Sequence, residues 1–245
     1  MITDVATMVW KEWRELLRQR GSWRAFLVGL FVPVAVFGIM LPIQAGPDWL
    51  ETAISLSAWI YMPTVLVMTM MADSIAGERE RHTLETLLAT RLPDQAILYG
   101  KILAGVGYAL LLALVIVAVG MVSVNLTDLT PGWQWYAPQI FWGGLIASLL
   151  LSLLGSAVGV LISLRAASVR QATQTLSYIM LVVFFLPVVL LQILPSQVMI
   201  TLEQTLAPLS LDRLFLVGGA GLLALDLALL LLLRARFQRT KLTLD

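Results

Sequence analysis

Cysteine is absent and histidine occurs once, at His82. The first absence removes disulfides, thiolate metal centres and cysteine nucleophiles; the second removes histidine-cluster metal sites, so no metal site is expected. Charge is scarce as well, at 13% of residues, against about 25% in an ordinary soluble domain. The 16 basic and 15 acidic residues leave a net charge of +1, which gives no basic excess for nucleic acid, and no nucleic-acid partner is expected. Apolar residues are what the chain has in quantity: 59% of the sequence, with a mean hydropathy of +0.89. That composition predicts an all-α integral membrane protein.

A hydrocarbon core about 30 Å thick needs roughly 20 apolar residues per helix. Cutting the chain at its charges gives six such runs: Ala25 to Pro47, Thr52 to Ala72, Ile102 to Thr127, about Gln139 to Leu164, Gln171 to Leu194, and Leu214 to Leu233. With the N-terminus inside, 15 of the 16 Lys and Arg fall on the cytoplasmic side and only Arg213 falls outside, as the positive-inside rule requires. The expectation is a single transmembrane domain over 1–245, multi-pass in the cell membrane, with both termini cytoplasmic. The first run is too long for a signal-peptide core and is expected to be retained. Seven of the eight tryptophans fall near span ends, which reads as an interfacial belt.

Residues 1–24 read as an amphipathic helix. At about 100° per residue Val5, Val9, Trp10, Trp13, Leu16 and Leu17 share one face, while Asp4, Lys11, Arg14, Glu15 and Arg18 share the other. Such a helix lies among lipid headgroups with its apolar side in the acyl chains; the plainer alternative is a charged anchor that sets topology.

The charged segment 73–101 is polar but is not a simple loop. Arg81 and Glu85 stand four apart, Leu84, Leu87, Leu88 and Leu92 recur at helical spacing, Pro93 stops the helix, and Asp94 can cap the next. A leucine ridge flanked by charges of both signs suits docking into another protein or resting on lipid, and pattern alone leaves both open.

Gly77-Glu78-Arg79-Glu80-Arg81, Thr83-Leu84-Glu85, Leu87-Leu88-Ala89-Thr90 and Gly100-Lys101 resemble the signature of the type 2 ABC exporter permeases. The length, the six spans and the amphipathic N-terminal helix extend the resemblance over the whole chain. His82 stands where that pattern has glycine, and Arg91 where it has proline. The resemblance implies that this segment is a coupling helix seated in a cleft of a separate ATPase subunit. Leu84, Leu87 and Leu88 would fill the cleft, while Glu78, Arg79, Arg81 and Glu85 would set the charge register. It also implies short re-entrant gate helices within 195–212. No Gly-x-x-x-x-Gly-Lys-[Ser/Thr] loop occurs, so ATP and Mg belong to the partner chain and no cofactor is expected on this one. Two such permease chains, or one and a homologue, would pair with two ATPase chains.

On cargo the spans say little. Gly144, Ser148, Ser152 and Ser156 form a stripe, and Gly155 with Gly159 a small-xxx-small pair; this reads as close helix packing rather than a groove. Asp226 is the ionisable residue well inside a span, either structural or in contact with cargo or protons. With no Lys or Arg in any span, an amphiphilic or hydrophobic substrate is expected over an anionic polymer. A coupling scaffold of the energy-coupling-factor kind, which binds ATPases but not cargo, is the alternative, although its paired Ala-Arg-Gly motifs are missing. An intramembrane enzyme would need a constellation that Asp226 alone does not supply.

Overall fold

The computed structural model describes residues 1–19, 29–52, 54–127, 132–195, 197–198, 201 and 211–237. Among the described residues the regular elements are all helical. In chain order they are α1 (Ile2–Gln19), α2 (Gly29–Ala45), α3 (Asp48–Glu51), α4 (Ile54–Glu80), α5 (Leu84–Leu88), α6 (Asp94–Thr127), α7 (Pro138–Arg165), α8 (Val169–Ile193) and α9 (Leu211–Arg236). Four stretches are long and apolar enough to cross a membrane: Ala58–Glu80 in α4, all of α6, all of α7, and Phe215–Arg236 in α9. The expected first span falls on α2, whose described part is shorter, and the expected fifth on α8.

Two boundaries differ from expectation, both around 73–101. Helix α4 does not end at Ala72 but continues through Gly77 to Glu80. Helix α6 begins at Asp94, so Lys101 lies two turns inside it. The independent helix left between them is α5, of five residues. The charges on either side of α5 are carried on the ends of α4 and α6 because, as described below, they find partners there. Most of 195–212, and with it the expected gate, lies outside the described residues, as do residues 20–24 of the N-terminal segment.

Helix α7 forms the central packing surface. Gly144, Ser148, Ser152, Gly155, Ser156, Gly159 and Ser163 are all buried, and the three glycines abut α4. A Cβ on Gly159 would stand 2.6 Å from the Met71 Cβ and 2.9 Å from the Met68 carbonyl oxygen. The Ser148 hydroxyl donates to the Trp59 carbonyl at 2.9 Å, and the Ser163 hydroxyl oxygen accepts from the Ile75 and Ala76 amides at 3.0 and 2.8 Å. Small residues let the two backbones approach, and hydroxyls join them where no water competes. The stripe is therefore packing, not a groove.

Helix α2 is wound as a π-helix over Val34–Met40. A π turn loosens the regular hydrogen-bond ladder, and the Gly38 carbonyl accepts from the Ser123 hydroxyl of α6 at 2.8 Å. Near the same end, Trp49, Trp59 and Tyr136 are buried, with the Trp59 and Tyr136 rings edge to face at 4.8 Å. Asn125 pins the segment before α7: its carboxamide accepts from the Gln134 amide at 2.7 Å and donates to the Gln134 carbonyl at 3.0 Å. The tryptophan belt is corrected accordingly. Trp10, Trp133, Trp135 and Trp142 are exposed, but Trp49 and Trp59 are core residues, drawn inward by aromatic partners that proximity to a span end does not reveal.

Replacing Gly159 by Leu drives a side chain into the α4 backbone and is expected to cost about 1–3 kcal/mol or prevent folding. Gly221→Leu, where a Cβ meets nothing within 4 Å, is expected to stay within about 0.5 kcal/mol of the parent. Thermal unfolding of the purified variants in detergent checks both; equal stabilities would contradict the packing role.

Candidate functional site

At one end of the bundle Lys101 is 1% exposed. A buried ammonium is tolerated only if its three donors are met, and all three are. Lys101 Nζ donates to Glu12 Oε1 of α1 at 2.9 Å, to Glu78 Oε1 of α4 at 3.0 Å, and to the Ser74 carbonyl at 2.9 Å. Lys11 closes the arrangement. Its ammonium lies 2.7 Å from Glu78 Oε1, 3.3 Å from Glu12 Oε1 and 3.1 Å from Glu15 Oε1. Two lysines and two glutamates thus alternate in a ring that ties α1, α4 and α6 together. The carboxylates of Glu12, Glu15 and Glu78 converge within 4.8 Å of one another, a spacing that suits a cation, and the two ammonium groups supply that charge. Glu78 Oε2 is buried without a hydrogen-bond partner.

Electrostatics here outweigh burial. Burial pushes the Glu12 carboxyl up, but Lys101 and Lys11 together hold it below its ordinary value. Burial likewise pulls Lys11 down, and Glu12, Glu78 and Glu15 hold it above its ordinary value.

The last turn of α4 extends this hub. The Arg79 guanidinium donates to the Ala166 and Leu164 carbonyls at the C-terminus of α7. Glu80 Oε1 accepts from the Val169 amide, which opens α8, at 2.9 Å. Each charge meets the helix end of opposite polarity. Arg81 reaches back across Gly77 to Asp73, 3.8 Å away; a Cβ on Gly77 would stand 2.1 Å from Asp73 Oδ1 and 2.8 Å from the Arg81 guanidinium. Five helices therefore meet around Glu78, Arg79 and Glu80. These side chains hold this chain together; Glu78 and Arg79, expected to set a charge register on a partner, have their charges engaged within it.

The leucine ridge faces inward. Leu84, Leu87 and Leu88, expected to fill a partner's cleft, are buried in a cluster with Met8, Ile75, Ile97 and Leu98 of this chain. A helix of five residues has one apolar side, and the nearest apolar surface is its own α1, α4 and α6. What α5 and its flanks expose is Arg81, His82, Thr83, Glu85, Thr86, Ala89 and Thr90. His82 adopts a φ of +54°, a left-handed conformation in which glycine is favoured and histidine tolerated.

Helix α1 buries Met8 and Glu12, and it approaches α6 where Gly100 has no side chain: a Cβ there would stand 2.5 Å from the Met8 Cβ. Trp10 is 66% exposed, Val9, Trp13 and Leu16 are half-buried, and the Leu17 side chain lies outside the described residues. Lys11 and Glu15, expected on the water-facing side, join the ring instead. Asp226 of α9 is 0% exposed, and neither carboxylate oxygen has a hydrogen-bond partner.

Glu12 and Lys101 are the site residues that sequence reasoning missed. The available signal was Lys101 itself, a lone cation at the edge of an apolar run, where an ionisable group calls for a partner.

Membrane-length helices clasped at one end by a buried ion-pair ring define an integral membrane protein of the helical-bundle class. Within it, the ABC-2 type transporter family model matches residues 3–200, and the chain belongs to that family. It is accordingly a transmembrane permease component of an ABC transporter. No match was found among curated proteins.

Removing one member of a buried pair costs about 3–5 kcal/mol. Lys101→Met is therefore expected to lower stability by that order, and the added change Glu12→Gln to recover part of it in a double-mutant cycle. The pH dependence has a defined sign. A carboxyl held below its ordinary 4.5 adds stability above that pH and loses it as pH falls through the lowered value. A lysine held above its ordinary 10.5 adds stability below that pH and loses it as pH rises through the raised value. Docking of α1 is thus expected to be tightest between these limits and to loosen in acid. A fluorescent label at Thr7 reports it; mobility unchanged down to pH 3 would contradict the ring.

Proposed function

We propose that the chain is one permease half of an ABC exporter. It couples ATP hydrolysis by a separate ATPase subunit to movement of an amphiphilic or hydrophobic substrate across the cell membrane. Two copies, or one copy and a homologue, would form the pathway, with ATP and Mg held by the partner. Six spans with both termini cytoplasmic fit the division of 15 cations against one.

The observation that carries this reading is the mounting of α5. A five-residue helix is fixed by buried leucines to a platform on which α1, α4, α6, α7 and α8 converge. Force applied to its exposed side passes through its buried leucines into the core they share with α1, α4 and α6. The contact with the ATPase is accordingly assigned to Glu85, Thr86, Ala89 and Thr90, and the leucines are its support. The exposed apolar side of α1, with Trp10 outward, would rest in the headgroup layer and keep this platform at the membrane surface.

Glu85→Lys combined with Thr86→Glu is expected to leave the permease folded and to reduce ATPase co-purification and substrate-stimulated hydrolysis about tenfold. Leu87→Asp is expected to lower the yield of folded permease itself. Co-purification at parent yield with the exposed-face variant would sink the assignment. Topology has its own check, since any introduced cysteine is unique. A membrane-impermeant reagent is expected to label Trp135→Cys in intact cells, and Thr90→Cys only after permeabilisation.

A further inference from the structure

We propose that Asp226 and the apolar groove beside it form a binding site for an amphiphilic cation, its hydrocarbon body in the groove and its charged nitrogen on the carboxylate. The inward stripe of helix α9 includes Gly219 and Leu222, which are half-buried, and Asp226 and Leu233, which are buried. Along its N-terminal half, α9 and α7 flank a groove of about 520 Å³ lined by Gly143, Ala147, Leu150, Phe215, Gly219 and Leu222 among other apolar residues. That volume suits a small organic molecule. The groove ends at Leu222 and Leu223, and Asp226 follows one helical turn later on the same side. Side chains on a helix lean toward its N-terminus, which for Asp226 is the direction of the groove; the carboxylate itself is buried just beyond the residues that line it.

Both oxygens of that carboxylate are buried and lack a hydrogen-bond partner. Its counter-charge does not come from this chain's spans: α7 carries no ionisable residue from Pro138 to Leu164, and α9 none but Asp226 from Phe215 to Leu233. A second copy brings no cation to that depth, because Arg79, Lys101, Arg165, Arg234 and Arg236 all lie within about two turns of the end of their helices. Nor does a lipid headgroup reach it. Asp226 is near the middle of Phe215–Arg236, roughly 15 Å from either end at about 1.5 Å per residue. Arg234 is eight residues away, and no ion pair joins it to Asp226 among the described residues. The group proposed to pair with Asp226 carries its own apolar surface into the bilayer and a positive charge for the carboxylate. This narrows the substrate class of the export reading, on which its transport role rests, but binding itself requires neither ATP nor the ATPase.

The test uses the full-length chain in lipid nanodiscs without ATPase, with empty nanodiscs subtracted. The probes are a fluorescent dodecylammonium and its uncharged dodecyl alcohol counterpart. Saturable binding of the cation is expected, tighter than that of the alcohol and weakened about tenfold or more by Asp226→Asn. Asp226→Glu is expected to bind within about threefold of the parent. Ala147→Phe, which fills the groove, is expected to weaken both probes. Melting curves establish that each variant is folded, and Asp226→Glu together with Ala147→Phe keeps the test decisive if the Asn variant is not. Equal affinity of parent and Asp226→Asn for the cation, equal affinity of the parent for both probes, or no saturable binding overturns the proposal. Loss of ATPase coupling in the α5 variants would leave it standing, and its failure would leave the coupling assignment standing.

Discussion

The ammonium of Lys101 is the constraint on which the charged end of the bundle is built. A lysine two turns inside α6 and 1% exposed is stable there only while Glu12, Glu78 and the Ser74 carbonyl stay within hydrogen-bond reach. Those groups come from α1 and α4, so satisfying one charge fixes the mutual register of three helices. A hydrophobic replacement of similar volume can match an ion pair in stability, but it has no such positional demand. Directional donors and acceptors lock a single arrangement, and Arg79 and Glu80 carry the lock onward to α7 and α8.

The bundle is joined by different means at different depths. Beside the ion-pair end, Ser163 binds two amides of α4. In the middle, glycines on α7 bring the backbones into contact, since between apolar helices in lipid van der Waals fit and occasional hydroxyl bonds are the forces available. Toward the far end Trp59, Tyr136 and Phe141 pack edge to face, and Asn125 fastens the connecting segment. Helix α4 takes part in all three zones. A displacement delivered at its charged end is therefore passed along a rod gripped over its length.

Much of this was legible in the residues. Apolar run length located α7 almost to the residue, and the spacing of glycine and serine on it predicted packing correctly. The signature around Gly77 to Thr90 pointed to the family. Three features were not legible, each for a physical reason. Leucines at helical spacing describe a ridge but not the direction it faces; α5 is too short to have another core, so it uses this chain's. Charge marked the end of a span at Ala72, whereas α4 continues because Glu78, Arg79 and Glu80 each meet a partner that is remote in sequence. Glu12 was hidden because a helical wheel sorts polar residues outward, and burial of a polar residue depends on a lysine 89 positions away.

Lys101 and Asp226 show two ways for one chain to carry a charge among apolar helices. Lys101 lies close to the membrane surface and draws every partner it needs from backbone and side chains of the same molecule. Asp226 lies at mid-span, on a helix whose remaining faces are largely exposed leucines, and draws none. Leaving an unpaired carboxylate in hydrocarbon costs about 2.5–3.5 kcal/mol even on lenient scales, comparable with the loss from a sizeable core mutation. The carboxylate therefore fixes no partner of its own, whereas Lys101 creates the register on which its neighbours depend. By this contrast the ion-pair ring belongs to the architecture, and Asp226 is a charge that the packing among the described residues leaves unanswered.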